Sequence, residues 1–175
     1  MSENIRKLCV TAMGVALFVV LSMCLQVPVF DNYYLCLGYV VMTVYCYSFG
    51  AGMGTMTGVL SVILYCILIN GLRGMPGWAA GNAVIGAVLG TLFVRYRAKP
   101  MRAADRLLVA AAVVLSTAAG ILGVKSLVEC VLYGQPFMLR AGKNMSGFLA
   151  DAFVILASLP LCPILYPAAK KAAGQ

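Results

Sequence analysis

The stretch MPGWAAGNAVIGAVLG, from Met75 to Gly90, decides how this chain folds. A Pro-Gly turn carries Trp78, the only tryptophan of the chain, and the residues after it predict an apolar helix. Asn82 lies about one turn inside that helix, and Gly86 and Gly90 follow at four-residue steps on the same face. Such a face lets a neighbouring helix approach closely and can present an amide to a small molecule. An interfacial tryptophan followed by a simple packing stripe explains the same residues.

The composition is that of a protein embedded in a lipid bilayer. Of 175 residues, 63% are hydrophobic and 10% are charged, and the mean hydropathy is +0.98. Soluble domains are roughly half apolar and about one-quarter charged. We therefore predict an all-α membrane protein: a compact bundle of six transmembrane helices forming a single domain over residues 1–175. The apolar stretches, most of them near the ~20 residues that a spanning helix needs, are 8–26, 35–50 (the shortest), 53–70, 79–96, 107–128 and 147–166.

The basic residues predict the orientation of these helices. With the N-terminus inside, nine of the 13 lysines and arginines lie on the cytoplasmic side, as the positive-inside rule requires: Arg6, Lys7, Arg95, Arg97, Lys99, Arg102, Arg106, Lys170 and Lys171. An even number of spans returns the C-terminus to the cytoplasm. The net charge of +8 then reflects topology and attraction to anionic lipid, and no nucleic-acid partner is expected.

Catalytic and metal chemistry have little support in the sequence. The chain has no histidine, and its seven cysteines are scattered without a C-x-x-C pair. We find no nucleophile–base spacing and no phosphate-binding loop with its lysine. The sequence therefore predicts a protein that is not an enzyme and that carries no metal or cofactor.

The polar side chains collect at the outer ends of the predicted spans and in the loops there. Lys125 and Glu129 lie four residues apart near the end of span five, where they must pair or face a wet cavity. Asp151 falls in the first turns of span six, where a helix N-terminus favours a carboxylate. The loop 27–34 is either an aromatic belt at the lipid headgroups or a mobile lid.

Aromatic walls with a few converging polar groups are typical of a small-molecule site that is open to the outside. Lys125 or Arg140 would suit an anionic group of the substrate, and Asn82 and Asp151 its polar body. The predicted substrate-binding residues are Tyr33, Tyr34, Arg73, Trp78, Asn82, Lys125, Glu129, Arg140, Lys143, Asn144 and Asp151.

Three motifs together resemble those of a known family. They are Ala12-x-x-x-Ala16 in the first span, Gly-Tyr-Val-Val-Met from Gly38 to Met42, and Pro-Gly-Trp-x-x-Gly-Asn from Pro76 to Asn82. In motifs and in layout the chain resembles the substrate-binding S component of an energy-coupling factor (ECF) vitamin transporter. The likeness in layout covers nearly the whole chain.

This resemblance implies a receptor that captures a vitamin or related micronutrient outside a bacterial cell membrane. A transmembrane coupling subunit and two cytosolic ATPases would then drive its delivery inward. Ala12 and Ala16 would form the face against the coupling subunit, and the loops after spans one, three and five (133–146) would gate the site. From the residues alone, small side chains at this spacing equally fit a contact inside the same chain.

Two other functions remain open at this level. A stand-alone secondary transporter would accumulate substrate without ATP, although the inner half of the predicted bundle has no charged relay. A structural membrane protein of similar span number would bind no small molecule at all.

Overall fold

The fold is a bundle of helices with one short hairpin of strands. The computed structural model describes residues 3–24, 27–30, 33–97 and 103–174. Two short stretches are π-helical, Cys66–Asn70 and Ala118–Lys125, and one 3-10 turn covers Leu72–Gly74. The regular elements are α1 (Glu3–Cys24), β1 (Val27–Phe30), β2 (Tyr33–Leu35), α2 (Gly38–Phe49), α3 (Ala51–Tyr65), α4 (Met75–Tyr96), α5 (Ala103–Thr117), α6 (Ser126–Tyr133), α7 (Phe137–Ser158) and α8 (Leu161–Ala172).

The lengths of the helices support a protein that crosses the membrane several times. Within the described residues, four helices are long and apolar enough to span it, and α7 with α8 would form a fifth, bent by 70°. The second predicted span corresponds to α2, whose 12 residues extend about 18 Å and so fall short of the ~30 Å hydrocarbon core. The six-span count and the cytoplasmic termini therefore stay predictions. The four long helices are Glu3–Cys24, Ala51–Ile69, Leu72–Tyr96 and Ala104–Tyr133.

Glycine contacts set the packing of α2 against α3. Gly50 has a φ of 83°, a backbone conformation that favours glycine, and it turns the chain between the two helices. Beyond the turn, Gly54 lies against Cys46 and Gly58 lies against Met42. The contacts move away from the turn in step, so the two helices form an antiparallel hairpin.

The glycine stripe of α4 is likewise a packing face. Gly86 lies against the backbone of Thr55, and Gly90 lies against Ala51 and Gly50. One and a half turns before Gly86, Gly81 meets the carbonyl of Gly120 in the π-helical segment. The predicted close approach of a neighbouring helix is confirmed on α4, which packs against α3 and against the π-helical segment.

Two predicted loops differ from the structure. In the segment 27–34, β1 and β2 pair as antiparallel strands, Val27 opposite Leu35. The segment 133–146 is mostly the start of α7: Gly134, at a φ of 62°, ends α6, and α7 begins directly after Pro136. The loop prediction was wrong there because it followed polarity, whereas residues 138–143 include several good helix formers.

The earlier start of α7 also corrects the environment predicted for Asp151. This residue lies about four turns into the helix, far from the N-terminal turn to which helix-end stabilisation is confined. Pro160 interrupts the helical path that follows, since α7 ends at Ser158 and α8 continues after Pro160 at a 70° angle.

Candidate substrate-binding site

A chain of buried hydrogen bonds joins α2, α3 and α4. The indole Nε1 of Trp78 donates to the hydroxyl of Tyr39 at 2.8 Å, and that hydroxyl donates to Oδ1 of Asn82 at 2.7 Å. The amide Nδ2 of Asn82 donates to the carbonyl of Gly58 at 3.2 Å. Tyr39 and Asn82 are fully buried, whereas Trp78 is half-buried. The polar atoms of Asn82 are thus used inside the protein, where they hold Tyr39 and through it the Trp78 ring.

Two ionisable side chains border this chain of hydrogen bonds. The ammonium of Lys125 lies 6.0 Å from the centroid of the Trp78 ring, at the outer limit of a cation–π contact. The carboxyl of Asp151 interacts with the Tyr39 hydroxyl and with the charge of Lys125. Asp151 is buried and Lys125 is half-buried, so a carboxyl group and an amino group lie close to the Tyr39 and Trp78 side chains. These contacts bring Trp78, Asn82, Lys125 and Asp151 together, and their role in binding a substrate stays a prediction.

The π-helical segment Ala118–Lys125 determines where Lys125 points. A π-helical turn holds more residues than an α-helical turn and shifts the faces of the residues that follow it. The hydroxyl of Ser126 accordingly bonds back five residues, to the carbonyl of Ile121 at 3.2 Å. Gly81 of α4 leaves room for this segment, since a side chain at Gly81 would meet the backbone of Gly120.

A second polar cluster lies nearer the end of the bundle where α6 is joined to α7. Glu129 is buried; its Oε2 accepts from Nδ2 of Asn144 at 3.1 Å and lies 3.7 Å from Nη1 of Arg140. Asn144 also donates to the hydroxyl of Ser126 at 3.0 Å. Glu129 therefore pairs with Arg140 of α7, rather than with Lys125 as the four-residue spacing allows. A lysine that precedes a glutamate is also the less favourable order for such a helical pair.

Two arginines stack on one aromatic ring at the edge of this cluster. The guanidinium carbon of Arg140 lies 4.9 Å from the centroid of the Tyr133 ring, and that of Arg73 lies 5.4 Å from it. Tyr133 thereby connects the turn before α4 to the first turns of α7. The two clusters adjoin, because a side chain at Gly77 would meet both Glu129 and Lys125.

The remaining predicted residues lie in different places. Tyr33 and Tyr34 belong to β2, but their side chains, like Asp31 and Asn32, lie outside the described part of the chain. Lys143 is exposed on α7. Ala12 and Ala16 are exposed on α1, whose opposite face is buried, with Gly14 against the ring of Tyr45.

Sequence reasoning missed Tyr39, Tyr65 and Tyr133 as members of these clusters. The ring of Tyr65 meets that of Trp78 edge to face, with centroids 5.8 Å apart. A signal was present for Tyr39, since a buried tyrosine hydroxyl needs a hydrogen-bond partner and this one lies in the Gly38–Met42 motif. Nothing in the sequence spacing indicates Tyr133.

Fold and site together define a multi-pass membrane protein with a buried polar and aromatic site, as in a small-molecule binding component of a transporter. A family model described as "ECF-type riboflavin transporter, S component" matches residues 2–166. The chain belongs to that family, which is one of transport components and not of enzymes.

One solved structure agrees with this assignment at the level of the fold. The crystal structure of the S component for biotin from an ECF-type ABC transporter superposes with a TM-score of 0.60 over 95% of each chain, at 14% sequence identity. This similarity shows the fold alone. Comparison with curated protein sequences gives no match.

Proposed function

We propose that this chain is the riboflavin-binding subunit of an ECF-type importer in a bacterial cell membrane. Its family is named for riboflavin transport. The observation that carries the proposal is the hydrogen bond from the Trp78 indole to the buried hydroxyl of Tyr39. Lys125 lies near the Trp78 ring, and Asp151 lies near Tyr39. These groups combine an aromatic wall with one cation and one carboxyl.

Riboflavin has the chemistry that such a site would recognise. Its isoalloxazine ring has two apolar faces for stacking and an edge of alternating hydrogen-bond donors and acceptors, and its ribityl chain carries hydroxyl groups. Aromatic side chains favour offset or edge-to-face contact with such a ring. We assign direct contact to Trp78 and Lys125, which are half-buried, and assign the support of Trp78 to Tyr39 and Asn82, which are fully buried.

The second cluster would bound the site on its outer side. Arg73 and Arg140, stacked on Tyr133, bring together the turn before α4 and the start of α7. Glu129 and Asn144 hold Arg140 in position. In this proposal Lys143, Tyr33 and Tyr34 complete the outer rim.

Delivery inward would depend on other chains. In the proposed orientation, with six spans and both termini in the cytoplasm, the polar clusters lie in the outer half of the bundle. A transmembrane coupling subunit, powered by two cytosolic ATPases, would then move the loaded protein. The exposed face of α1 that includes Ala12 and Ala16 is our candidate for its contact, because small residues allow helices to approach closely.

The substitution Tyr39→Phe tests the site directly. It removes a hydroxyl and leaves both the Trp78 indole N–H and the Asn82 carbonyl without their partner. We expect riboflavin affinity to fall by about 1.5 kcal/mol, or roughly tenfold. The affinity is measured by titrating riboflavin with the purified protein and recording how far binding quenches the flavin fluorescence.

Tyr45→Phe is the matched control for that experiment. Tyr45 is also a buried tyrosine of α2, but its hydroxyl donates to the carbonyl of Val10, away from the clusters, at 2.8 Å. It should lower the unfolding temperature without changing affinity. Equal losses of affinity in the two variants, or no riboflavin binding by the wild-type protein, would count against the proposal.

Ala16→Leu tests the proposed contact with the coupling subunit. Added bulk on the exposed face of α1 should reduce co-purification of the coupling subunit and the ATPases while riboflavin affinity stays unchanged. Ala87→Leu, at an exposed alanine of α4, is the control and should leave the complex intact. Loss of riboflavin binding by Ala16→Leu would show that this face serves the binding fold itself.

Reconstitution distinguishes the proposal from a stand-alone transporter. The purified chain alone in vesicles should bind riboflavin without accumulating it under a proton or sodium gradient. Accumulation should require the coupling subunit, the ATPases and ATP. Gradient-driven uptake by the single chain would overturn the receptor assignment.

A further inference from the structure

A cavity of about 730 Å³ lies at the end of the bundle opposite to the polar clusters. Its wall is largely apolar and comes from the ends of α2 and α4, the start of α5, and the bend between α7 and α8. The volume lies within the range of roughly 300–1,000 Å³ found for small-molecule sites. The lining residues that matter here are Tyr47, Arg106, Val109, Ala110, Leu156 and Pro160.

The surroundings of this cavity are positively charged. Arg106 lines it directly and is exposed. The guanidinium of Arg97 donates to the carbonyl of Ser48 at 2.8 Å, next to Tyr47 of the cavity wall. The ammonium of Lys170 lies 5.7 Å from the centroid of the Tyr166 ring, and that ring contacts the ring of Tyr47. The acidic residues at this end of the described bundle include Asp105, adjacent to Arg106 in the sequence, and Glu3, which pairs with Lys7.

We propose that this cavity binds an acyl chain of an anionic phospholipid whose phosphate group pairs with Arg106. The apolar wall suits a hydrocarbon chain, and a free phosphate ion would leave it unfilled. Basic pockets between transmembrane helices on the cytoplasmic side are sites at which anionic lipid headgroups bind. In the proposed orientation the cavity opens at that leaflet, where anionic lipids are concentrated.

The position of the cavity explains what the bound lipid does. Pro160 separates α7 from α8 at the 70° bend, and the wall of the cavity follows that bend. An acyl chain there packs against α5 and against both arms of the bend, and it fills volume that the side chains leave open. The lipid therefore stabilises the bent pair, and this role does not depend on which vitamin the polar clusters bind.

The test compares two pairs of matched variants in lipid nanodiscs made of equal parts phosphatidylglycerol and phosphatidylcholine. Retained lipid is identified and counted by native mass spectrometry after transfer to detergent. Arg106→Gln should lower retained phosphatidylglycerol about fivefold, since one basic group near the surface contributes about 1 kcal/mol. Arg95→Gln, an exposed arginine near the same end that is not among the lining residues, should retain it.

The second pair tests occupation of the cavity itself. Ala110→Trp fills the cavity and should lower retention of both lipids, whereas Ala111→Trp, on the exposed face of the same helix, should not. If Ala110→Trp lowers the unfolding temperature, the smaller substitution Ala110→Leu replaces it in the comparison. The proposal would be overturned if Arg106→Gln retained as much phosphatidylglycerol as Arg95→Gln, and Ala110→Trp as much lipid as Ala111→Trp. So would unchanged lipid retention in the Ala110 variants combined with weaker binding of the coupling subunit, because the cavity would then be a protein-docking site.

Discussion

Lys125→Met is expected to reduce riboflavin affinity about a hundredfold, because hydrogen bonds to charged groups contribute about 1.5–3 kcal/mol. Lys125 is half-buried, and its ammonium lies 6.0 Å from the centre of the Trp78 ring. Methionine keeps most of the length of the side chain and removes only the charge and the donors. Fluorescence titration measures the loss. The exposed Lys171, at the other end of the bundle, provides the control variant Lys171→Met, which should bind as wild type does.

The same substitution should also lower the stability of the ligand-free protein. Lys125 is a positive charge that acts on the buried carboxyl of Asp151, and a buried polar group that loses its partner is unfavourable. Asp151→Asn removes the ionisable carboxyl, so Lys125→Met with Asp151→Asn should unfold at a higher temperature than Lys125→Met alone. Riboflavin affinity should stay low in the double variant. Additive losses of stability would show that the two groups act independently.

Gly90→Ala is expected to destabilise the bundle by about 3 kcal/mol, the upper part of the range for overpacked interiors. An added methyl group at this position meets the backbone of Ala51 and Gly50, which cannot move aside as a flexible side chain can. The contact lies where α4 crosses the turn between α2 and α3. Thermal unfolding in detergent should show a clear decrease, together with a lower yield of folded protein.

Gly52→Ala, on the neighbouring helix α3, has the opposite expected effect. Gly52 lies in the first turn of α3, is exposed and has no atom of another part of the described chain near its added methyl group. Alanine is the better helix former by roughly 0.5–1 kcal/mol, so this variant should be as stable as wild type or more stable. If Gly90→Ala behaved like Gly52→Ala, the close packing of α4 on the hairpin would be wrong.

The features that could be predicted correctly from the sequence are those that depend on residues close together along the chain. The hairpin at Gly50 and the packing face of Gly86 and Gly90 follow from small residues at helical spacing, and the structure has both. The break near Pro160 follows equally from a local rule, since proline lacks the N–H of the next helical hydrogen bond. These features depend on a helix period of 3.6 residues and on the chemistry of single residues.

Side-chain contacts between helices that are distant in the sequence could not be predicted in the same way. Tyr39 and Asn82 are 43 residues apart, and nothing in either segment indicates that their side chains meet. Glu129 meets Arg140 and Asn144 because α6 and α7 pack side by side. The π-helical segment before Lys125 has no sequence signature of its own, yet it changes the direction of every side chain that follows.

By itself, the sequence determined that this protein lies in a membrane as a bundle of helices, and it indicated the motifs of its family. Apolar runs, basic flanks and small-residue stripes act locally, so they can be recognised in one dimension. Only the tertiary structure decided the use of the polar residues: Asn82 supports Tyr39 from within, Lys125 borders the Trp78 ring, and Asp151 lies near Tyr39. A buried polar group takes its role from the partner that satisfies it, and packing between distant helices chooses that partner.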